Sequence, residues 1–274
     1  VFTNREGTYW TENTLPVEAA LNDLVFGDSL FVAGGQNGTI FTSPDGVTWT
    51  ARRSDTHYGF EEIAYGNSFY VAFAIGGTRS TSSDGINWTT VSEGYGKGMN
   101  TLCFGGGKFV ALDNENNFYY SSNGTAWTKG NQAYTACVDK IVYGDSGFLA
   151  VGGGSGYSFT SPDGINWTRH KLNKYFEVNA LAYGRSVYLA VGDGGQLHSS
   201  LDGIKWWTHR SGTTNDLNDL MFQGHDFWTV SEGGGILQAR RFVPIAGNVG
   251  VSGAEMLTDY RNSPLGYSDE DGDY

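Results

Sequence analysis

Four aspartates, Asp45, Asp84, Asp163 and Asp202, recur in one phrase, S-x-D-G-x-x-W, and Asn123 stands in a fifth copy. Carboxylates at equal intervals could do acid–base or metal chemistry if the fold gathered them. A hairpin turn asks for the same residues on other grounds, because Gly takes positive φ at little cost and Asp accepts nearby backbone N–H groups. The second account explains the whole phrase, so these aspartates are read as turn residues. The closing tryptophans, Trp49, Trp88, Trp127, Trp167 and Trp206, with Trp10 in a degenerate copy, begin an outer strand and wedge against a neighbouring repeat. Each wedge buries about 150–250 Å², or about 4–6 kcal/mol before entropy is counted.

Other reactive residues form no known constellation. The histidines at 57, 170, 198, 209 and 225 make no H-x-x-H or H-x-x-x-H pair, so no zinc ligand set is read. No G-K-[ST] follows the glycine clusters, which are turn glycines. No metal and no cofactor is expected, and no catalytic residue is assigned. Two sets of positions have binding potential. The first, Asn22, Glu61, Asn100, Asp139, Asn179 and Asn218, precedes each inner apolar run by two residues. A ring of such groups could hold a cation or small polar ligand, or simply bond to water and backbone. The second, Tyr58, Tyr95, Tyr134 and Tyr175, lies on loops leaving the outer strands. Tyrosines beside Asn, Gln and Arg suit a sugar face or a protein partner, or they pack on the next repeat.

The elements that must position these groups follow from the period. The tryptophans fall 39 or 40 residues apart, and two further phrases keep the same beat: an apolar residue followed by x-[FY]-G, and [FY]-[VL]-A. Each unit thus holds four short aromatic and β-branched runs separated by turn residues, which predicts four strands. The first copy, around Trp10, belongs to the last quarter of a unit, and the sixth unit lacks that quarter. The predicted fold is all-β, a six-bladed β-propeller of four-stranded blades with the N-terminal strand completing the last blade. Residues 1–241 form the propeller and 242–274 an irregular acidic extension.

The chain has 274 residues and a formal net charge of -12, which argues against binding nucleic acid or an anionic membrane by a basic surface. No apolar run is long enough to span a bilayer. The extension carries six carboxylates and one Arg, a net of -5, leaving -7 on the repeats. Its solvated composition points to a protein partner or assembly neighbour holding it. Cys103 and Cys137 occupy non-equivalent repeat positions and are read as free buried thiols.

The S-x-D-G-x-x-W phrases resemble the Asp-box, or bacterial neuraminidase repeat, of a β-propeller superfamily. Their short spelling is similar to uncharacterised repeats of bacterial and bacteriophage propellers. The resemblance implies the fold, and implies that the box is a turn away from the active face. That superfamily spans sialidases, other glycosidases, assembly factors and binding proteins, so fold does not choose a function. A sialidase needs an arginine triad, a Tyr–Glu pair and an R-I-P type motif. No R-x-P occurs here, and Arg241-Phe242-Val243-Pro244 has the wrong spacing. The expected role is a non-enzymatic binding or structural module of a virion (tail, fibre or decoration) or an extracellular cell-surface assembly. A glycan-binding lectin is the alternative and a sialidase-like glycoside hydrolase the second alternative.

Overall fold

The computed structural model describes residues 2–3, 11–16, 18–92, 98–132, 138–152 and 156–239. These fall into two compact units, one holding the described residues up to Ser92 and the other those from Gly98 to Ala239. Almost all regular structure is antiparallel strand. After a ribbon of β1 (Phe2–Thr3) and β2 (Thr11–Glu12), the first unit holds two four-stranded blades. Blade 1 is β3 (Leu21–Gly27), β4 (Leu30–Gly35), β5 (Ile40–Ser43) and β6 (Thr50–Arg52). Blade 2 is β7 (Phe60–Gly66), β8 (Phe69–Ala74), β9 (Thr78–Ser82) and β10 (Thr89–Ser92).

The second unit holds four blades. Blade 3 is β11 (Met99–Gly105), β12 (Lys108–Asp113), β13 (Phe118–Ser121) and β14 (Thr128–Lys129). Blade 4 is β15 (Lys140–Gly144), β16 (Gly147–Val151), β17 (Tyr157–Ser161) and β18 (Thr168–Lys171). Blade 5 is β19 (Ala180–Gly184), β20 (Val187–Gly192), β21 (Gln196–Ser200) and β22 (Trp207–Arg210). Blade 6 shows three strands, β23 (Leu217–Gln223), β24 (Asp226–Ser231) and β25 (Gly235–Ala239). The expected fourth strand of blade 6 is not among the described pairings. The N-terminal segment that was to supply it includes Trp10 and residues 4–9, outside the described set, and its described pairing is the β1–β2 ribbon.

Strand order follows chain order in every blade because each connection is a short hairpin, two residues long between the first and second strands and longer further out. In the inner hairpins of blades 1, 2, 3 and 5 both turn residues have positive φ, as at Asp28–Ser29 and Arg185–Ser186. That conformation matches the strand twist. The second strand, which carries [FY]-[VL]-A, is the most enclosed: every residue of β16 and β20 is buried. Outer strands such as β6 and β14 are largely exposed.

The x-[FY]-G phrase owes its glycine to the neighbouring blade. A Cβ on Gly27 would stand 2.1 Å from Cγ of Tyr65, and one on Gly184 would stand 2.2 Å from Cγ of Phe222. Each ring comes from the same phrase one blade on. The ring therefore lies flat against a backbone that must lack a side chain. Tyr70 adds a hydrogen bond from its hydroxyl to the Gly27 carbonyl, and its phenol is pushed up to about 12, chiefly by burial.

Tryptophans close the outer half of the joints between blades 1 and 2, 3 and 4, and 4 and 5. Trp88 packs with Val32 and Ile40 of blade 1, and Trp206 with Leu149 and Val151 of blade 4. Trp167 stacks on Phe118 of blade 3 at 3.6 Å between ring centroids, with 5° between the planes. Backbone bonds repeat this joint in two spellings. Asn131 uses its own carbonyl to accept the Trp167 N–H at 3.0 Å, whereas Asn173 accepts the Trp206 N–H with its side-chain Oδ1 at 2.9 Å. Cys103 is half-buried rather than enclosed, packed at the margin of the core cluster that joins blades 3 and 4. Cys137 lies outside the described residues.

Candidate functional site

The positions expected to form a ring occupy a common backbone device. Asn22, Glu61, Asn100 and Asn218 are each the extra residue of a β-bulge at the start of the inner strand, where the register skips from Leu21 to Asp23, Phe60 to Glu62, Met99 to Thr101 and Leu217 to Asp219. A bulge bends the strand and re-aims the side chain it carries. Asp139 and Asn179 stand one residue ahead of β15 and β19, and their N–H groups bond to the carbonyls of Val151 and Val191.

Two of these side chains act as clasps. Nδ2 of Asn22 donates to the Phe60 carbonyl at 2.8 Å, and Nδ2 of Asn179 donates to the Leu217 carbonyl at 3.1 Å and to Asp193 Oδ1 at 2.8 Å. Each reaches the first residue of the next blade's inner strand. These bonds use the amide hydrogens of Asn22 and Asn179 and leave each Oδ1 as an acceptor. Among the described residues no group of three His, Cys, Asp or Glu side chains is placed to hold a metal ion. The side chain of Asn100 lies outside the described set.

Within the second unit the ring positions of blades 4, 5 and 6 open on one cleft of about 610 Å³, lined by Asn116, Val138, Asp139, Lys140, Val178, Asn179 and Asn218. The structure thus brings together three of the six ring positions. Sequence reasoning missed Asn116 and Lys140. Asn116 comes from the turn between β12 and β13, which Asp113 shapes by accepting the N–H groups of Glu115 and Asn117 at 2.9 and 2.8 Å. Gln132 secures that turn, donating to the Asn116 carbonyl and accepting the Phe118 N–H. The N-E-N-N stretch 114–117 was the available signal, since it departs from the Gly-rich spelling of the other units.

The loop tyrosines divide. Tyr58 is half-buried against the blade 1 and 2 core, with His57 lying on it at 4.3 Å between ring centroids. Tyr175 is 58% exposed, and its hydroxyl donates to Glu177 Oε1, which holds its phenol above the ordinary value, with the charge of Asp139 a lesser cause. Tyr95 and Tyr134 lie outside the described residues.

The S-x-D-G turns contribute no residue to this cleft. In blade 1, Asp45 Oδ1 accepts the N–H groups of Val47 and Thr48, both at 2.8 Å, and the hydroxyl of Ser43 at 3.0 Å. Ser43 Oγ accepts the Gly46 N–H at 2.8 Å, Gly46 has φ 75°, and Trp49 Nε1 donates to the Gly46 carbonyl at 3.0 Å. The same set recurs around Asp84, Asn123, Asp163 and Asp202. The N–H groups of Asn87 and, in part, Ile86 hold Asp84 well below the usual carboxylate range. Partial burial opposes ionisation of Asp163, yet the N–H groups of Asn166 and Ile165 prevail and bring it to about 2.

One buried histidine also escaped the sequence reading. His198 is 2% exposed and lies on Phe176 at 4.3 Å between ring centroids. Its Nε2 is 3.3 Å from Gln196 Oε1, while its Nδ1 has no hydrogen-bond partner. Burial first, then the charges of Lys174 and His209, push it down to about 4.

The antiparallel blades define the class: this chain is a six-bladed β-propeller, all-β but for short turns. No protein-family model matches the chain, and no curated protein matches it. Among solved structures it is similar to YCF48 from Cyanidioschyzon merolae, at 18% identity and a TM-score of 0.64 over 84% of each chain. It is also similar to YCF48 bound to D1 peptide, at 16% identity and a TM-score of 0.68, covering 87% of this chain and 82% of that one. The WD40 domain of Neurospora crassa Pan2 matches at 11% identity and a TM-score of 0.62 over 82% of this chain and 77% of that one. At such identities the shared property is the fold.

Proposed function

We propose that this chain is a non-enzymatic propeller module that binds a protein partner through the polar cleft of blades 4 to 6. The observation that carries the reading is the convergence of Asn116, Asp139, Lys140, Asn179 and Asn218 on one opening, with donors, acceptors and both charges represented. Such a lining matches peptide backbone and mixed side chains. The similar YCF48 structure bound to D1 peptide supports it by fold analogy. A hydrolase would need two carboxylates facing one substrate. The described lining offers Asp139 alone. The resemblance of the turns to Asp-box repeats of bacteria and phage fits a component of a virion or cell-surface assembly, with the acidic extension from 242 onward as a further contact.

A lectin is the second reading, favoured by the amides of Asn116, Asn179 and Asn218 together with exposed Tyr175. The two separate when a random-peptide display library and a glycan array are probed with the parent chain and with Asn218→Ala and Lys140→Ala, beside a fluorogenic glycoside screen. Peptides retained by the parent and weakened about tenfold by the substitutions support the partner reading. Glycans retained in their place establish the lectin, and glycoside turnover overturns the non-enzymatic assignment.

A further inference from the structure

Blades 1 and 5 share a loop device whose one difference points to a ligand. After β4 the chain makes a tight turn at Gln36–Gly38, and after β20 it makes the same turn at Asp193–Gly195. The central residues superpose in conformation, Asn37 at φ 57° and ψ 29°, Gly194 at φ 62° and ψ 26°. The loop leaving each outer strand clamps this turn in identical fashion. Ser54 donates to the Gly38 carbonyl and Ser211 to the Gly195 carbonyl, both at 2.6 Å. Thr56 Oγ1 accepts the Tyr58 N–H and Thr213 Oγ1 accepts the Asn215 N–H, both at 3.1 Å.

In blade 5 the next residue, Asp216, completes the device: its Oδ1 accepts the Gly194 N–H at 2.8 Å. In blade 1 that position is Gly59. A Cβ there would lie 3.3 Å from Cα of Gln36 and 3.9 Å from the nitrogen of Asn37, and among the described residues no carboxylate accepts that N–H. What surrounds it has changed as well. Asn37 also borders a cleft of about 650 Å³, lined by Arg52, Arg53 and His57 along with Thr39 and Asp55. The residues matching Arg52 and His57 in blade 5 are His209, which is hydrogen-bonded to Ser199, and Thr214. Arg53 has a side chain 90% exposed and rests against Asp55. Basic groups thus outnumber the single carboxylate in a cleft on a chain of net charge -12.

We infer that the blade 1 cleft is a site for a carboxylate of an acidic peptide segment, seated where Asp216 sits in blade 5. Arg53 then exchanges Asp55 for the ligand, Arg52 stays anchored by its Nε bond to Thr42 Oγ1, and the Asn37 N–H meets the carboxylate end-on. The inference adds a second site to the partner-binding reading and is independent of the blade 4 to 6 cleft, so either can fail alone.

The test is fluorescence anisotropy of the full chain with a fluorescein-labelled Gly-Asp-Glu-Asp-Gly amide. Its partners are the neutral Gly-Asn-Gln-Asn-Gly as amide and with a free C-terminus. Saturable binding of the acidic amide is expected, weakened about tenfold or more in Arg53→Gln and in Gly59→Asp, and strengthened about threefold in Asp55→Asn. Raising salt from about 0.1 to 0.5 M weakens it further. Gly59→Asp supplies the missing carboxylate from within, and Arg53→Gln keeps the test valid if that substitution disturbs the turn. Binding of the neutral peptide only when its C-terminus is free also supports the site and assigns the carboxylate to a chain end. Equal binding of the neutral amide, affinities indifferent to Arg53→Gln and Gly59→Asp, no binding up to about 1 mM, or saturable binding of sialyl-lactose in place of the peptides would each overturn the inference.

Discussion

The outer turns and the inner strand starts of these blades obey different rules. At the outer turn, five copies repeat one hydrogen-bond set, down to the indole of each tryptophan bonding the glycine carbonyl three residues earlier. At the inner start neither the backbone nor the side chain repeats so strictly: a bulge stands in blades 1, 2, 3 and 6, Asn22 clasps the next blade, Asp139 and Asn218 face a cleft, and Asn179 does both. A repeated unit keeps identical what every joint needs and varies what only one face needs. Stability therefore concentrates at the outer joint, and specificity at the inner start.

Removing a wedge should break that comparison most severely. Trp206→Ala takes away a side chain 2% exposed between blades 4 and 5, and a loss of about 3–5 kcal/mol in urea unfolding is expected. A smaller figure, under about 1 kcal/mol, would show that the outer joint does not hold the blades. Gly184→Val comes next. Its Cβ would enter the Phe222 ring, for a loss of about 1–3 kcal/mol, rescued in part by Phe222→Ala in a double-mutant cycle. Third, Ser200→Ala removes the hydroxyl that receives the Gly203 N–H and is expected to cost about 1–2 kcal/mol.

Acid sharpens the contrast without mutation. His198 has its folded value depressed to about 4 against an ordinary 6.5, so the unfolded chain takes up the proton first. Its contribution is complete above about pH 6.5 and is lost as pH falls toward 4. Asp84 and Asp163 act lower, from about pH 4 down toward 2, where the turns lose their carboxylates. Midpoints of thermal melts between pH 7 and 4 should fall, and His198→Leu should flatten that limb; an unchanged limb would assign it elsewhere. The smallest effect is expected at the inner start. Asn218→Ala, on an exposed bulge, should move stability by less than about 0.5 kcal/mol while it weakens the partner.

What sequence could disclose follows the same divide. The blades, the S-x-D-G turns and the tryptophan wedges were legible because each rests on residues that recur, so the pattern is its own control. The equivalence of the ring positions was legible from the repeat, but where each side chain goes depends on the local backbone, and nothing in Asn22 or Asn218 announces a register skip. The blade 1 loop was legible only in part. Arg53-Ser54-Asp55-Thr56 and Arg210-Ser211-Gly212-Thr213 share the spelling R-S-x-T. Its meaning lay in the turn each serine clamps, which belongs to a different strand pair. The fourth strand of blade 6 remained beyond the described residues, together with the extension.

The glycine-to-ring contact has a consequence for how such a chain lengthens. At Gly27, Gly105, Gly144 and Gly184 a unit carries the glycine that accepts the ring of the following unit, Tyr65, Tyr143, Tyr183 and Phe222 in turn. Lock and key are thus inherited in one segment of about 39 residues, and duplicating that segment copies both halves of a joint together. An insertion of any other length would deliver one half without its mate. The regular beat of the tryptophans is the spacing that copying by whole segments would keep.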